Sequence, residues 1–184
     1  QDAEMSLRII AGQWRGRALV APRGETTRPT SDRAREALFS MLASRLGSFE
    51  GLRVADLFAG TGALGLEALS RGAAHCIFVD QDRAAIEAIR ANVAKLGASA
   101  DIRPAAVASL GPIATPCDLL LLDPPYESGG GGALIERLTR LGWAAPGAWA
   151  SIETGREEPV SANGWTVEAE RRHGKAKLTL LRCA

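Results

Sequence analysis

The run Cys117-Asp118-Leu119-Leu120-Leu121-Leu122-Asp123-Pro124-Pro125-Tyr126 joins four leucines to an acid, two prolines and an aromatic. Four apolar residues in a row suit a strand covered on both faces. A plain exit from such a strand uses Gly, Asn or a single Pro. Two prolines remove two backbone donors, fix φ and hold the preceding residue extended. The result is a stiff turn whose carbonyls can accept hydrogen bonds, with the Asp123 carboxylate at its start and the Tyr126 ring at its end. The chemically silent alternative is a rigid strand-ending turn.

A second stretch, VADLFAGTGALGLEA, has an apolar strand ending near Asp56-Leu57-Phe58, then Gly60-Thr61-Gly62, then a helix. Glycines there let the backbone turn sharply and approach a ligand. Asp80 ends the next strand-like run, 20 residues after Gly60. An acid at that place can accept both hydroxyls of a ribose. Gly60, Gly62 and Gly65 also satisfy G-x-G-x-x-G, so a nicotinamide or flavin dinucleotide must be weighed. Asp56 argues against one, because a carboxylate at the end of the first strand repels a pyrophosphate. It would attract a cation. S-adenosylmethionine has no phosphate and carries an ammonium and a sulfonium, so it fits Asp56 and Asp80 together. A glycine turn that merely packs a helix on a sheet is the structural alternative.

The elements that must position these residues follow from pattern. Leu7 to Ile10 and Arg17 to Val20 read as a small β-hairpin. TSDRAREALFSMLASRL reads as a helix of about four turns, with Thr30 or Ser31 as N-cap and Asp32 in its first turn. From Gly51 onward, strands and helices alternate, which implies a parallel sheet covered on both faces. The strands are expected at 53–58, 76–79, weakly at 102–103, at 119–122 and at 148–152. The helices are expected at 63–70, 83–96 and 133–141. Gly129 to Gly132 read as a flexible loop. The tail reads as a hairpin, 165–170 and 177–181, around RRHGKAK.

The 184 residues suit a single hydrophobic core, and 46% hydrophobic with 23% charged residues is an ordinary globular balance. No apolar run is long enough to cross a membrane. The start, QDAEMSLRII, has no apolar h-region, so no export signal is expected, and Met5 is a candidate natural start. Cys76, Cys117 and Cys183 have neither metal-ligand nor disulfide spacing, so core packing in a reducing cytoplasm is expected, with no metal. Net charge is +1 but unevenly spread. Residues 5–35 hold seven arginines against two acids, and residues 170–184 hold five basic residues against one acid. Two basic ends suggest a polyanion-binding face. His75 and His173 have no partner pattern and are not read as catalytic.

In order, DLFAGTGALGLEALSRG, FVDQD and LLLLDPPY resemble the class I S-adenosylmethionine-dependent methyltransferases. RIIAGQWRGRALVAP followed by RPTSDRAREALFSML resembles more closely the RsmD family, bacterial methyltransferases that act on N2 of a guanine in 16S ribosomal RNA. The resemblance runs from about Leu7 to the C-terminus. It implies a Rossmann-like α/β fold, with a mostly parallel seven-stranded sheet, helices on both faces and a small N-terminal hairpin. Residues 1–30 would be a basic RNA-binding extension and 31–184 the methyltransferase domain. Thr30, Asp32 and Arg33 would help close the cofactor pocket. Asp56, Phe58, Gly60, Thr61 and Gly62 would form the cofactor loop, and Asp80 with Gln81 would hold the ribose. Relatives often place Asn or Asp where this chain has Ala105 and Ala106, so backbone groups of Ala106 and Val107 are expected to read the adenine.

On this reading Asp123, which also borders the cofactor, and the Pro124 carbonyl accept the two amino hydrogens of the base. Pro125 stiffens the turn. Tyr126 stacks on the base, a contact worth about 1–3 kcal/mol. Arg8, Trp14, Arg15, Arg17 and Arg28 at one end, and Arg171, Arg172, Lys175 and Lys177 at the other, would face RNA. Packing of Trp14 under its own hairpin is an equal alternative. The substrate would be 16S ribosomal RNA in a small-subunit assembly particle, the protein a cytoplasmic monomer. A DNA adenine-N6 or cytosine-N4 methyltransferase shares the turn, but the small size and the N-terminal segment argue against it. A protein glutamine methyltransferase would usually carry Asn at the position of Asp123. A nicotinamide-binding or non-catalytic nucleotide-binding module is the alternative of another class.

Overall fold

The computed structural model describes residues 7–22, 32–125 and 130–184. Thr30, Arg28 and Tyr126 therefore lie outside the described residues, as does the connector that leads into the first helix. Two short strands, β1 (Leu7–Arg8) and β2 (Ala18–Leu19), pair antiparallel. Helix α1 (Asp32–Leu46) follows, and then the alternating part: β3 (Arg53–Leu57), α2 (Ala63–Ser70), β4 (His75–Asp80), α3 (Arg83–Leu96), β5 (Ala100–Pro104), β6 (Cys117–Leu122), α4 (Gly131–Arg140) and β7 (Ala144–Gly155). The chain closes with β8 (Trp165–His173) and β9 (Ala176–Cys183).

Seven strands form one sheet in the order β5-β4-β3-β6-β7-β9-β8. The first five of that order run parallel, and β9 is antiparallel to both β7 and β8. The four leucines of β6 divide between the faces as the strand period requires. Leu119 and Leu121 enter one core with α1, α2, part of α3 and the N-terminal hairpin. Leu120 and Leu122 enter the other with α4, Trp143 and Trp165. All four are at most 2% exposed, so the sheet is covered on both sides at its centre.

Several elements differ from the expectation in extent. The glycine run at 129–132 is not all loop, because Gly131 and Gly132 are the first two residues of α4. A Cβ at Gly131 would stand 2.7 Å from Ile152 Cδ1, and one at Gly132 1.9 Å from the Ser161 carbonyl oxygen. Close packing of the helix start against β7 and the following loop, rather than flexibility, requires glycine there. β5 spans five residues and β7 twelve, longer than their hydrophobic runs, because pairing with β4, β6 and β9 supplies the missing pattern. Cys76 and Cys117 pack in the core and Cys183 is half-buried, all three as free thiols. Burial pushes the Cys117 thiol up to about 11.

A buried charge network fixes the N-terminal segment to this framework. Glu67 of α2 is fully buried and accepts from the backbone N–H groups of Ile10 and Ala11, at 2.9 and 3.1 Å. Arg71 Nε donates to Glu67 at 2.9 Å, and Arg35 Nε lies 3.6 Å from it. Arg35, also fully buried, pairs with Asp32 at 2.8 Å and donates to the Arg8 carbonyl. Asn92 of α3 both accepts from and donates to the backbone of Val20, at 2.7 and 3.0 Å. Leu7, Ile9 and Leu19 fill the same core as α1 and α2.

Candidate active site

β3 and β6 are adjacent and parallel, yet the chain leaves them toward opposite sides of the sheet, so a crevice forms at their carboxyl ends. Leu57 pairs with Leu122, and the Asp123 N–H donates to the Leu57 carbonyl at 3.4 Å. Asp123 therefore emerges beside the start of the glycine loop, with Pro124 buried behind it and Pro125 exposed.

The loop is shaped by its acids. Asp56, 2% exposed, accepts from the Gly65 N–H at 2.9 Å. Asp80 accepts from Gly60 at 2.8 Å through one oxygen and from Asp82 at 2.8 Å through the other. Thr61 Oγ1 accepts from the Ala63 N–H at the start of α2, and the Thr61 carbonyl accepts from Asn92. Gly60 and Gly62 have φ of 56° and 80°, the left-handed region. Nothing lies within 4 Å of a Cβ built on Gly60, which leaves room there for a ligand. Gly65 serves packing: a Cβ would sit 2.5 Å from the Phe78 ring. Phe58 has φ of 63°, the one non-glycine in that region among the described residues. Such a residue stores about 1–2 kcal/mol. No sequence signal marks that conformation.

Burial first, and then the negative charge of Asp123 and Asp80, hold the Asp56 carboxyl well above the usual carboxylate range, against the Gly65 hydrogen bond. Three carboxylates around one glycine loop suit a cation and repel a pyrophosphate. Each Asp80 oxygen keeps a second lone pair for a hydroxyl. The donor set thus fits the ammonium, sulfonium and ribose of S-adenosylmethionine. Gln81 follows Asp80 on the exposed surface. Val107 is buried; the Ala106 carbonyl accepts from Ser109 and the Val107 carbonyl from the Leu110 N–H.

A cavity adjoins Asp123, walled by α1, β7 and the β8–β9 hairpin; Arg33, Glu153, Arg171 and His173 line it. Sequence reasoning did not single out Glu153, and it placed His173 outside the chemistry. The signal for Glu153 was available only through pairing, because β7 lies next to β6. Arg33 lines this cavity while Asp32 is turned to Arg35. Arg8, Arg15, Arg17, Arg171, Arg172 and Lys175 are exposed. Trp14 is half-buried and packs against the core. Lys177 is 3% exposed, with its ammonium 3.7 Å from Glu170, so its charge is met within the protein.

A mostly parallel sheet in this order, a glycine loop between β3 and α2, an acid ending β4 and an acid–diproline turn ending β6 define a class I methyltransferase. The model of the family described as Conserved hypothetical protein 95 matches residues 7–182. The chain belongs to this family, the RsmD family of methyltransferases. It is 38% identical over 178 residues to the ribosomal RNA small subunit methyltransferase D of Escherichia coli, covering 95% of this chain and 88% of that one. With the Haemophilus influenzae protein of the same name it shares 34% over 180 residues, 94% and 92% of the two chains. The solved structure of the Escherichia coli methyltransferase yhhF superposes with a TM-score of 0.84 at 37% identity, covering 97% and 98%.

Proposed function

We propose that this protein uses S-adenosylmethionine to methylate the exocyclic N2 of a guanine in 16S ribosomal RNA, as a cytoplasmic monomer acting on a small-subunit assembly particle. The observation that carries the reading is the position of Asp123, at the exit of β6 beside the acid-lined glycine loop of β3. Relatives named as small-subunit ribosomal RNA methyltransferases support the substrate.

S-adenosylmethionine, when bound, supplies an electrophilic methyl group. Asp56 would hold its ammonium, Asp80 its ribose, and Gly60 and Gly62 would let the backbone approach. The protein's own task is to aim the amino nitrogen of the base. That lone pair is delocalised into the ring. Asp123 and the Pro124 carbonyl accept the two amino hydrogens and so localise it toward the methyl donor. The Asp123 carboxylate then stabilises positive charge growing on nitrogen. The proton lost from the methylated nitrogen can leave through Asp123 to solvent, since that nitrogen is strongly acidic. Tyr126 stacks on the flipped base. The remainder is proximity.

Incubation with methyl-tritiated S-adenosylmethionine and ribosomal RNA, unmethylated small-subunit particles or duplex DNA tests the reading. Label is expected as N2-methylguanosine, in particles or RNA. Label in DNA alone, or none despite cofactor binding, overturns the substrate. Asp123→Ala is expected to keep the cofactor-induced thermal shift and lose most methyl transfer. Near-normal turnover would remove Asp123 from the chemistry.

A further inference from the structure

The cavity beside Asp123 holds a second carboxylate that the chemistry above does not use. β6 and β7 run parallel, and Leu122 beside Ile152 is their last pair. One residue further along, Asp123 follows Leu122 and Glu153 follows Ile152. Both line the cavity, as does Ser151, while Ile152 between them points into the opposite core. Neighbouring strands lie about 4.8 Å apart, so the two acids rise from adjacent positions on one face. Leu38, Leu64 and Leu178 give the cavity apolar walls, and Arg33 and Arg171 add positive charge. Apolar walls suit a flat base, and the arginines suit its phosphates.

We propose that Glu153 is a specificity-determining residue, whose carboxylate accepts the N1–H of the target guanine while Asp123 accepts from its N2 amino group. This rests on the proposed guanine methylation. Guanine presents two adjacent donors, the ring N1–H and the N2 amino group. Adenine and cytosine present an amino group beside an unprotonated ring nitrogen. Ionised carboxylates only accept hydrogen bonds. An acid facing the ring nitrogen therefore welcomes guanine and repels both other bases. Asp123 alone would not make that distinction, because it meets an amino group in all three. A site built to pair with a substrate N–H rejects an analogue that lacks it more strongly than a methylene-sized pocket could.

The test compares wild type and Glu153→Gln on reconstituted small-subunit particles. In one set the target is guanine. In the other it is 2,6-diaminopurine, which keeps the N2 amino group but offers N1 as an acceptor. Glu153→Gln is expected to lower kcat/KM for guanine about 5- to 10-fold, because the Gln oxygen still accepts the N1–H but without charge. The KM for S-adenosylmethionine and the melting temperature are expected to stay unchanged. The Gln amide can donate to the diaminopurine N1, so the guanine-to-diaminopurine preference is expected to fall by a larger factor than the guanine rate. A residue that only supports the fold would lower both rates together. An unchanged preference, with guanine still methylated by wild type, overturns the role of Glu153 alone. Absence of N2-methylguanosine with wild type overturns the guanine reading, and this proposal with it.

Discussion

Asp56 is a carboxylate kept where ionisation is unfavourable. Burial and two neighbouring acids raise its pKa, and the Gly65 N–H only partly offsets them. A raised native pKa means that the native state binds more protons than the unfolded chain between about pH 4 and that raised value. Stability of the ligand-free protein therefore falls as pH rises through this window, by about 1.4 kcal/mol for each unit crossed. Asp56→Asn keeps an oxygen for Gly65 and removes the penalty. The variant is expected to melt higher than wild type at neutral pH without ligand, with the advantage vanishing below about pH 4. It is also expected to bind S-adenosylmethionine at least about tenfold more weakly, having lost a charged partner. Melting curves across pH, with calorimetric titration, check both. Identical pH slopes in the two proteins would remove Asp56 as the source. At this scale the sequence shows the acids and glycines clearly, because each chemical role restricts residue type. It hides the positive φ of Phe58, which comes from the turn around it, and Glu153, whose proposed role depends on a strand distant in sequence.

At the scale of elements, α2 does two jobs. Its start carries the glycine loop, and its Glu67 holds the backbone of Ile10 and Ala11 together with Arg35 and Arg71. Burial lowers the Arg35 pKa and Glu67 opposes that shift. Removing Glu67 would leave the Arg35 charge buried with Asp32, itself half-exposed, as its remaining ion-pair partner. Glu67→Ala is expected to cost about 3–5 kcal/mol, read as a lower urea midpoint at constant slope. The amide protons of Ile10 and Ala11 are expected to lose exchange protection in the same variant. Unaltered protection would mean that Leu7, Ile9 and Leu19 hold the segment without Glu67. None of this was legible beforehand. Glu67 sits in an apolar helix pattern, and its partners lie 32 and 57 positions away in the chain. Helices and central strands were legible because their periodicity is local. β5, legible only weakly at 102–103, and the ends of β7 are strands because of their pairing partners rather than their own residues.

Over the whole molecule, both basic ends meet α1. Arg8 gives its carbonyl to Arg35, and the β8–β9 hairpin shares the cavity beside Asp123 with Arg33. The tips of the two hairpins nevertheless lie at different edges of the sheet: Arg17 donates to the Lys95 carbonyl in the last turn of α3 and the Trp14 N–H to Ser70 at the end of α2, whereas the β8–β9 turn pairs beside Gly155 at the cavity edge. The sequence showed the two basic segments but not where each lies; the β7–β9 antiparallel return brings only the second to the cavity edge. Lys177 shows why counting charges overstates the surface, since its ammonium faces Glu170. Arg171, Arg172 and Lys175 are the exposed cations of that hairpin. If they meet RNA phosphates, each contact releases counterions and contributes about 0.7–0.9 to the slope of log affinity against log salt. Replacing all three with Ala is expected to reduce that slope by about 2–3. Replacing Lys177 alone with Met is expected to leave the slope unchanged, because a buried ion pair releases no counterion. Equilibrium binding of small-subunit particles across a salt series measures both. A triple variant with the wild-type slope would move the RNA face away from this hairpin, and a shallower slope in Lys177→Met would show that its pair with Glu170 opens on binding.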